Sequence, residues 1–300
     1  EREKLLGRIR ESYQRVAYGK RIVVVEGTGQ PGVGSVAGIS NADVINELRA
    51  MGVPLFVIMV TQGGIGSTID ELFPYLMAMD HLGAQVDGVI INGVYMKKLD
   101  KIQHYYERVF PALYGREALR QPIPPILGYV PVIPELKLPT MRLIAESFAA
   151  AHDSLFEVIA PKDFDTAACR LVRKLKVISL DFGYEPFLEP GDAVIVGVNA
   201  NDVILAMLLL HERLVRKHGQ GLAGLILSCK QVGGLAAPIR ELIIAGDVPT
   251  IMVGYDSADI VQRVEGLTIK IQPYDLQKTK LIAEAYDQYL TLWPEVVSPC

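Results

Sequence analysis

A glycine-rich acidic segment, residues 25–35 (VEGTGQPGVGS), carries the residue types best suited to bind a nucleotide together with its metal ion. It follows an apolar run rich in β-branched side chains, and residues 21–27 predict a short strand. Glu26 would then close a buried strand at the sheet edge where open α/β sheets bind ligands. A Mg²⁺ ion shared with nucleotide phosphates would satisfy this carboxylate, and the glycines would let backbone N–H groups approach an anion. In the alternative interpretation, Glu26 pairs with a basic side chain beside a tight turn.

Two well-known nucleotide-binding patterns match this segment only in part. Residues 27–32 fit G-x-G-x-x-G, but a dinucleotide fold also needs an acidic residue at the end of the next strand, where Val60 and Thr61 stand. Residues 29–35 imitate a phosphate loop but lack the lysine that neutralises the β- and γ-phosphates. The pattern therefore favours a strand-end metal carboxylate over a complete dinucleotide or phosphate site.

A second glycine-rich stretch, residues 63–66, follows the next predicted strand and includes Gly64. Its backbone could cradle an anion at the N-terminus of the helix that follows. Alternatively, Ser67 or Thr68 simply caps that helix.

A third strand end is marked by an amide. Asn92 ends the run VIIN and could read the edge of a base through its paired donor and acceptor, or it could form an ordinary Asn-Gly turn. Farther along, Pro131 and Pro134 are expected to shape a loop.

These candidates need a sheet whose strand ends meet at one edge, and the order of elements predicts such a sheet. Strands and helices alternate through residues 21–134, with Ser40 and Asn41 as a helix N-cap and Gly52 as its end. This alternation predicts an α/β fold with a doubly wound, mainly parallel sheet. A second alternating series begins near residue 191. We therefore predict a nucleotide-binding domain at 1–150, a junction at 151–190 and a smaller α/β domain at 191–300.

Composition excludes several classes of protein. Of the 300 residues, 50% are hydrophobic and 21% charged, the net charge is −4, and the basic residues are scattered, so neither nucleic acid nor an anionic membrane is an expected partner. The longest apolar runs, such as residues 53–60, are too short to span a bilayer and predict buried parallel strands. Cys169, Cys229 and Cys300 lie far apart, which favours a reducing, cytoplasmic setting over disulfides or zinc.

The histidines offer no ligand spacing and are predicted at the surface or near helix ends. They are His81, His104, His152, His211 and His218.

The first residues have helical spacing, with Leu5, Ile9, Tyr13 and Val16 on one face. No signal peptide is visible. The sequence starts as if within a helix, and we expect that upstream sequence is missing.

Several segments together resemble a known family. VVVEGTGQPGVGS, SNADVINEL, GGIGSTIDEL, VIINGV and ILGYVPVIPELKLPT are similar to the dethiobiotin-synthetase-like P-loop ATPase domain, in the subgroup that precedes phosphotransacetylase in long bacterial enzymes. The part from about residue 191 resembles the DRTGG domain that follows it there, although the letters DRTGG are absent and GVNANDVILAMLL matches only loosely.

The resemblance implies a P-loop NTPase-like fold that binds Mg²⁺ and ATP, with Glu26 as the metal carboxylate and Asn92 reading adenine near the loop at Pro131. No GxxxxGK[ST] occurs in this sequence; in the family it stands upstream of the segment VVVEG. The chain is therefore expected to be either a fragment or a relative that has lost ATP chemistry. The nucleotide-binding residues expected are Gly27, Thr28, Gly29, Gly34, Ser35, Gly64, Asn92 and Pro131, and no catalytic residue is assigned.

Three functions follow from these observations. The first is a Mg·ATP-binding regulatory or ATPase module that forms a homo-oligomer. The second is an ATP-dependent carboxylate ligase of the dethiobiotin or cobyrinate amide synthase type, which would need the absent lysine. The third is a non-catalytic dimerising scaffold with the second half as interface, for which the apolar run AMLLL is consistent, although core packing also explains that run.

Overall fold

The computed structural model of the protein describes residues 1–64, 66–114, 120–151, 154–159, 164–179, 183, 185–232 and 234–291. The chain divides into two compact units. Unit 1 comprises Glu1–Ile133 with Leu281–Cys300, and unit 2 comprises Pro134–Lys280. Each unit contains its own β-sheet.

Unit 1 combines a three-stranded parallel sheet with helices. Its strands are β1 (Ile58–Gln62), β2 (Gly88–Val94) and β3 (Ile126–Pro131). Its helices are α1 (Arg2–Ala17), α2 (Asn41–Ala50), α3 (Ser67–His81), α4 (Leu99–His104) and α5 (Phe110–Tyr114). A π-helical turn, Tyr105–Val109, joins α4 to α5.

Unit 2 contains the larger sheet, with five strands. The strands are β4 (Glu157–Ile159), β5 (Lys174–Val177), β6 (Asp192–Gly197), β7 (Gly224–Ser228) and β8 (Thr250–Met252). The helices are α6 (Met141–Ala150), α7 (Phe164–Ala167), α8 (Asn201–His218), α9 (Ala237–Ala245), α10 (Ser257–Glu265) and α11 (Leu276–Tyr289), the last of which ends in unit 1.

The sheet of unit 1 buries apolar side chains on both of its faces. On one face, Val89 and Ile91 pack into a core with residues of α3 and of the segment from α4 to α5, including Leu72, Leu76, Ile102 and Phe110. On the other face, Ile90, Leu127 and Val130 pack with Ala285 of α11. These contacts make unit 1 a layered α/β structure, consistent with the P-loop NTPase-like fold expected from the sequence.

The prediction of a strand at residues 21–27 is wrong. This segment has no regular secondary structure, none of the described strands pairs with it, and Val24 is 91% exposed. β-branched side chains favour a strand largely through packing against cross-strand neighbours, which this segment does not have. Glu26 consequently does not close a strand of the sheet.

The buried strand predicted at residues 53–60 is wrong in both extent and burial. β1 begins only at Ile58, and its side chains alternate between exposed and half-buried. Val60 is 58% exposed, whereas Met59 packs against the core that includes α3. The reason is position: β1 lies at the edge of the sheet and has a packed layer on one face only.

Helices cover both faces of the sheet in unit 2, as the alternating pattern predicts. Strands β5 to β8 are parallel and β4 pairs antiparallel with β8 at the edge. Residues of α8 and α9 pack on one face, and residues of α6 and α10 pack on the other. Unit 2 thus has the α/β fold predicted for the second half, with helices on both faces of a mainly parallel sheet.

Local signals predict one helix start correctly and another incorrectly. Ser40 caps α2 in a capping box with Asp43, as expected, and Gly52 follows the helix with a φ of 74°. In α3, however, the N-cap is Gly66 and makes no side-chain cap, so the prediction of a Ser67 or Thr68 cap is wrong. Among the described residues, no helix is both long and apolar enough to cross a membrane.

Candidate functional site

The carboxyl ends of the three strands of unit 1 meet at one edge and bring three predicted residues close together. Gln62 of β1 is in register with Asn92 of β2, which is in register with Val130 of β3. Gly63, next to Gly64, donates its N–H to the Asn92 carbonyl at 2.5 Å. Pro131 pairs with Val94 one step farther along. The structure therefore places Gly64, Asn92 and Pro131 at a single sheet edge.

The Asn92–Gly93 dipeptide forms a bulge in β2 and not a turn between elements. The register between β2 and β3 shifts between Asn92 and Val94, and Gly93 has a φ of 73°. Bulges commonly redirect a side chain at the end of a strand. The Asn92 side chain is exposed at this edge, where its amide is accessible to a ligand.

The N-terminus of α3 opens onto the same strand ends. Its N-cap, Gly66, provides a carbonyl that accepts from the N–H groups of Ile69 and Asp70, both at 3.1 Å, and has no side chain of its own with which to cap the helix. Uncapped N–H groups and the helix dipole favour an anion at such an end. The carboxylate of Asp70 in this first turn already complements the helix dipole and opposes a second anion there.

Two tyrosines near this edge, the buried Tyr106 and the half-buried Tyr129, were not identified from the sequence. Tyr106 lies in the π-helical turn and Tyr129 in β3, with ring centroids 6.4 Å apart. Burial raises the pKa of Tyr129 to about 12 and also raises that of Tyr106. The Tyr129 hydroxyl has no hydrogen-bond partner among the described residues, whereas the Tyr106 hydroxyl interacts with the Thr68 side chain. π-helical turns often lie at functional sites. In the sequence, only the spacing of aromatic residues pointed to these two tyrosines, and that signal is weak.

Asn41 organises the glycine-rich loop, a role that the sequence did not reveal. As the first residue of α2, it accepts hydrogen bonds at its Oδ1 from the Thr28 N–H (3.2 Å) and Oγ1 (3.1 Å). Its Nδ2 donates to the Gln30 carbonyl at 2.9 Å. This side chain fixes Thr28 and the glycines on either side of it against the start of α2.

The second half of the loop satisfies its own backbone groups. Ser35 donates its N–H to Gly32, and Ile39 donates to Gly34, both at 3.2 Å. Gly34 has a φ of 94°, and a Cβ at this position would collide with the Ile39 carbonyl oxygen, so only glycine fits. With its N–H engaged inside the loop, Ser35 has only its hydroxyl to offer to a ligand.

Glu26 lies in an apolar groove at the surface of unit 1. The groove has a volume of about 620 Å³ and lies between α1, residues 23–26 and α2. The apolar face predicted for α1, formed by Leu5, Ile9, Tyr13 and Val16, lines one wall. Arg8 is the basic residue of the lining, but no ion pair joins it to Glu26 among the described residues. The interpretation of Glu26 as an ion-paired residue thus finds no support there.

Glu26 could bind a divalent cation only if nucleotide phosphates and water supplied the other ligands of the ion. Among the described residues, no group of three His, Cys, Asp or Glu side chains could hold a metal ion. Mg²⁺ commonly binds through one or two carboxylates, nucleotide phosphates and water, and a single exposed carboxylate fits that requirement. No hydrogen bond of the described residues joins the loop of Glu26 to the strand ends that carry Asn92.

Unit 2 has a comparable edge at the end of β6. Helix α8 starts at Asn201, directly after this strand, without a side-chain cap. Asn201 Oδ1 accepts from the Ala236 N–H at 3.2 Å, which ties the start of α8 to the start of α9. At the end of β7, Cys229 has a φ of 57°, and this non-glycine residue therefore adopts a left-handed conformation.

A charge cluster closes the edge of the sheet in unit 2. Glu157 of β4 accepts from Lys230 Nζ and Arg240 Nη2, both at 2.6 Å. The Lys230 hydrogen bond, with Arg240, lowers the pKa of the Glu157 carboxyl. These groups satisfy one another and stabilise the edge strand.

The prediction of exposed or helix-terminal histidines is wrong for His211. This side chain is 1% exposed in the middle of α8, accepts the Leu222 N–H at Nδ1 (3.0 Å) and lies 2.6 Å from Asp247 Oδ1 through Nε2. Asp247 also pairs with Arg170 at 2.5 Å. Although it resembles a catalytic pair, this His211 is sealed from solvent, and the contacts give it a structural role.

His81, His104 and His218 end or nearly end their helices as predicted, and Cys169 and Cys229 are free thiols. His152 and Cys300 lie outside the described residues.

A comparison with protein families gives a match for the first part of the chain. Residues 2–140, somewhat less than half of the sequence, match the sequence model of a family described as an AAA domain, a dethiobiotin-synthetase-like P-loop family. No curated protein matches the chain.

Two chains of solved structures match this protein. One is the crystal structure of the CBS and DRTGG domains of the regulatory region of Clostridium perfringens pyrophosphatase complexed with the activator diadenosine tetraphosphate. Its sequence identity is 10%, and the match covers 77% of this chain and 88% of that one. The TM-score of 0.31 is too low for any structural argument.

Proposed function

We propose that unit 1 is a nucleotide-binding module that takes Mg·ATP, and that the protein is a regulatory or ATPase module. The observation that carries this proposal is the meeting of Gly64, Asn92 and Pro131 at the carboxyl edge of a parallel sheet. In open α/β sheets this edge is the general place for ligands. The match of residues 2–140 to a P-loop family supports the same chemistry.

In this proposal Asn92 recognises the base. Its exposed amide has both a donor and an acceptor and projects from a bulged strand end, so it can pair with the edge of adenine. Pro131, in register with Val94 on the neighbouring strand, limits the space beside that base. Gly64 lets the chain pass close to the ligand next to the uncapped end of α3.

The glycine-rich loop supplies the metal side of the site. Glu26 contributes a carboxylate to Mg²⁺, and Gly27, Thr28 and Gly29 stand next to it where Asn41 fixes the chain. Bound Mg²⁺ would neutralise phosphate charge and orient the phosphates. Gly34 and Ser35 shape the second half of the loop, where the Ser35 hydroxyl can donate a hydrogen bond to the ligand.

Base recognition is tested by equilibrium binding of a fluorescent ATP analogue to the whole chain, with ATP and GTP as competitors. Asn92→Ala removes the amide and is expected to weaken ATP binding about 5-fold, since a hydrogen bond of this kind contributes about 1 kcal/mol. The same substitution should leave the affinity for GTP, measured by competition, nearly unchanged. Gln85→Ala, which removes an exposed amide just before β2 at the opposite end of the sheet, is the matched control. Equal ATP affinity in both variants would contradict the role of Asn92.

Metal binding is tested separately. Glu26→Gln keeps the shape of the side chain and removes its charge, so the gain in ATP affinity on adding Mg²⁺ should fall. Glu11→Gln, an exposed carboxylate of α1, should retain the full gain. The metal role is rejected if the two variants respond to Mg²⁺ alike.

A further inference from the structure

Helix α8 of unit 2 has a second apolar surface that the core does not use. Its inner face, with Val203, Ile204 and Met207, packs against the sheet. On the outer face, Leu205 is 38% exposed and Leu209 is 63% exposed. Residues four apart lie on one side of a helix, so these two leucines form a continuous apolar strip along α8.

Opposite charges stand at the two ends of this strip. Asp202 and Arg216 are both exposed, and each lies seven residues from Leu209. Seven residues make about two helical turns, so Asp202, Leu209 and Arg216 lie nearly in line along the outer face. Arg216 also donates from Nε to the Glu212 carbonyl at 3.3 Å, which holds its guanidinium along the same side of the helix.

This arrangement of charges is self-complementary only when the α8 helices of two copies of the protein run antiparallel. With a two-fold axis at Leu209, Asp202 faces the partner's Arg216, and the two Leu209 side chains meet at the axis. A parallel pair would place like charges together at both ends, which is unfavourable. Antiparallel helices also align their dipoles favourably.

Helix α9 extends the same surface. It packs beside α8 on the same face of the sheet, and its Leu242 is 48% exposed. A stable interface buries about 800 Å² on each partner, which one helix strip alone does not provide. The combined surface of α8 and α9 comes closer to that size.

We propose that the outer surface of α8 and α9 is the interface of a two-fold symmetric homodimer, with Leu205 and Leu209 as its apolar centre and Asp202–Arg216 pairs at both ends. The leucines supply the affinity, and the charges fix the antiparallel direction. This interface lies in unit 2 and needs no nucleotide, so it stands independently of the function proposed for unit 1.

The first experiment measures the mass of the whole chain in solution by light scattering and sedimentation over a range of concentrations, without nucleotide. The wild type is expected to be a dimer at micromolar concentration. Leu209→Glu should shift it to monomer, whereas Leu276→Glu, at a leucine that is 75% exposed elsewhere in unit 2, should not. A wild type that stays monomeric, or a Leu209→Glu dimer as tight as the wild type, would overturn the proposal.

A charge exchange tests the antiparallel direction. Asp202→Arg alone should weaken the dimer at least 10-fold because it places two arginines together at each end. The double variant Asp202→Arg/Arg216→Asp should restore dimerisation at low salt. Circular dichroism of each variant verifies that it is folded. Failure of the double variant to recover, with the single variant folded, would reject this arrangement of α8.

Discussion

His211 shows how one buried side chain joins distant parts of unit 2. Its Nδ1 accepts the Leu222 N–H, and its Nε2 meets Asp247, which in turn pairs with Arg170. A protonated Nδ1 could not accept that N–H. Burial lowers the pKa of His211, and this effect outweighs the opposing charge of Asp247.

The stability of the protein should therefore fall on mild acidification. The folded pKa of His211 lies below the unfolded value of about 6.5, so its contribution is complete above that value and is lost as the pH drops through it toward the folded pKa. Urea denaturation between pH 7.5 and 5 should show a loss of at most about 1.4 kcal/mol per pH unit from this group. His211→Gln should reduce this slope, and His81→Gln, at an exposed residue, should not. Identical slopes in all three proteins would refute the assignment.

Gly221 is the residue that makes room for this histidine. A Cβ at Gly221 would collide with the His211 ring, which the surrounding core holds in place. Gly221→Ala is expected to destabilise unit 2 by about 1–3 kcal/mol through overpacking. Chemical denaturation measures the change, with Gly234→Ala, at a glycine of unit 2 with open space around it, as the control. A cost at Gly221 no larger than that at Gly234 would mean that the ring moves freely.

At the scale of elements, the caps that depend on neighbouring residues were predictable. Ser40 and Asp43 form a reciprocal cap because both partners lie within one turn of the chain. Ser40→Ala should cost unit 1 about 1 kcal/mol in unfolding free energy. Ser12→Ala in α1, where no cap is lost, is the control in the same denaturation experiment. An equal effect of both substitutions would contradict the capping box.

Elements that depend on distant partners were not predictable from local pattern. Residues 21–27 and 53–60 have equally strong β-forming composition, but only the second contains a strand, and that strand lies exposed at an edge. β-forming composition shows only that a segment could form a strand. The strand forms where a neighbouring strand is in place to pair with it. The same reason explains why Asn41 was missed: its partners are 11 to 13 residues away.

At the scale of the whole molecule, the alternation of strands and helices predicted two α/β units with parallel sheets. Strand ends are fixed by the order of elements, so the sequence could assign Gly64 and Asn92 to one edge, whereas Pro131, which was expected in a loop, ends strand β3. The placement of Glu26 depended on a strand that does not form, and the buried Tyr106 and half-buried Tyr129 depended on packing between a helix and a strand. The sequence thus predicted which strand ends meet at this edge, but not which side chains lie around it.

Isothermal titration calorimetry of the whole chain with Mg·ATP tests the central claim most directly. We expect one saturable site per chain, with affinity reduced when Mg²⁺ is removed with EDTA and with a weaker response to Mg·GTP. Parallel titration of an Asn92→Ala/Glu26→Gln double variant that remains folded should abolish most of the signal. Absence of saturable heat at several temperatures, together with no thermal stabilisation at millimolar Mg·ATP, would contradict the assignment of unit 1 as a nucleotide-binding module.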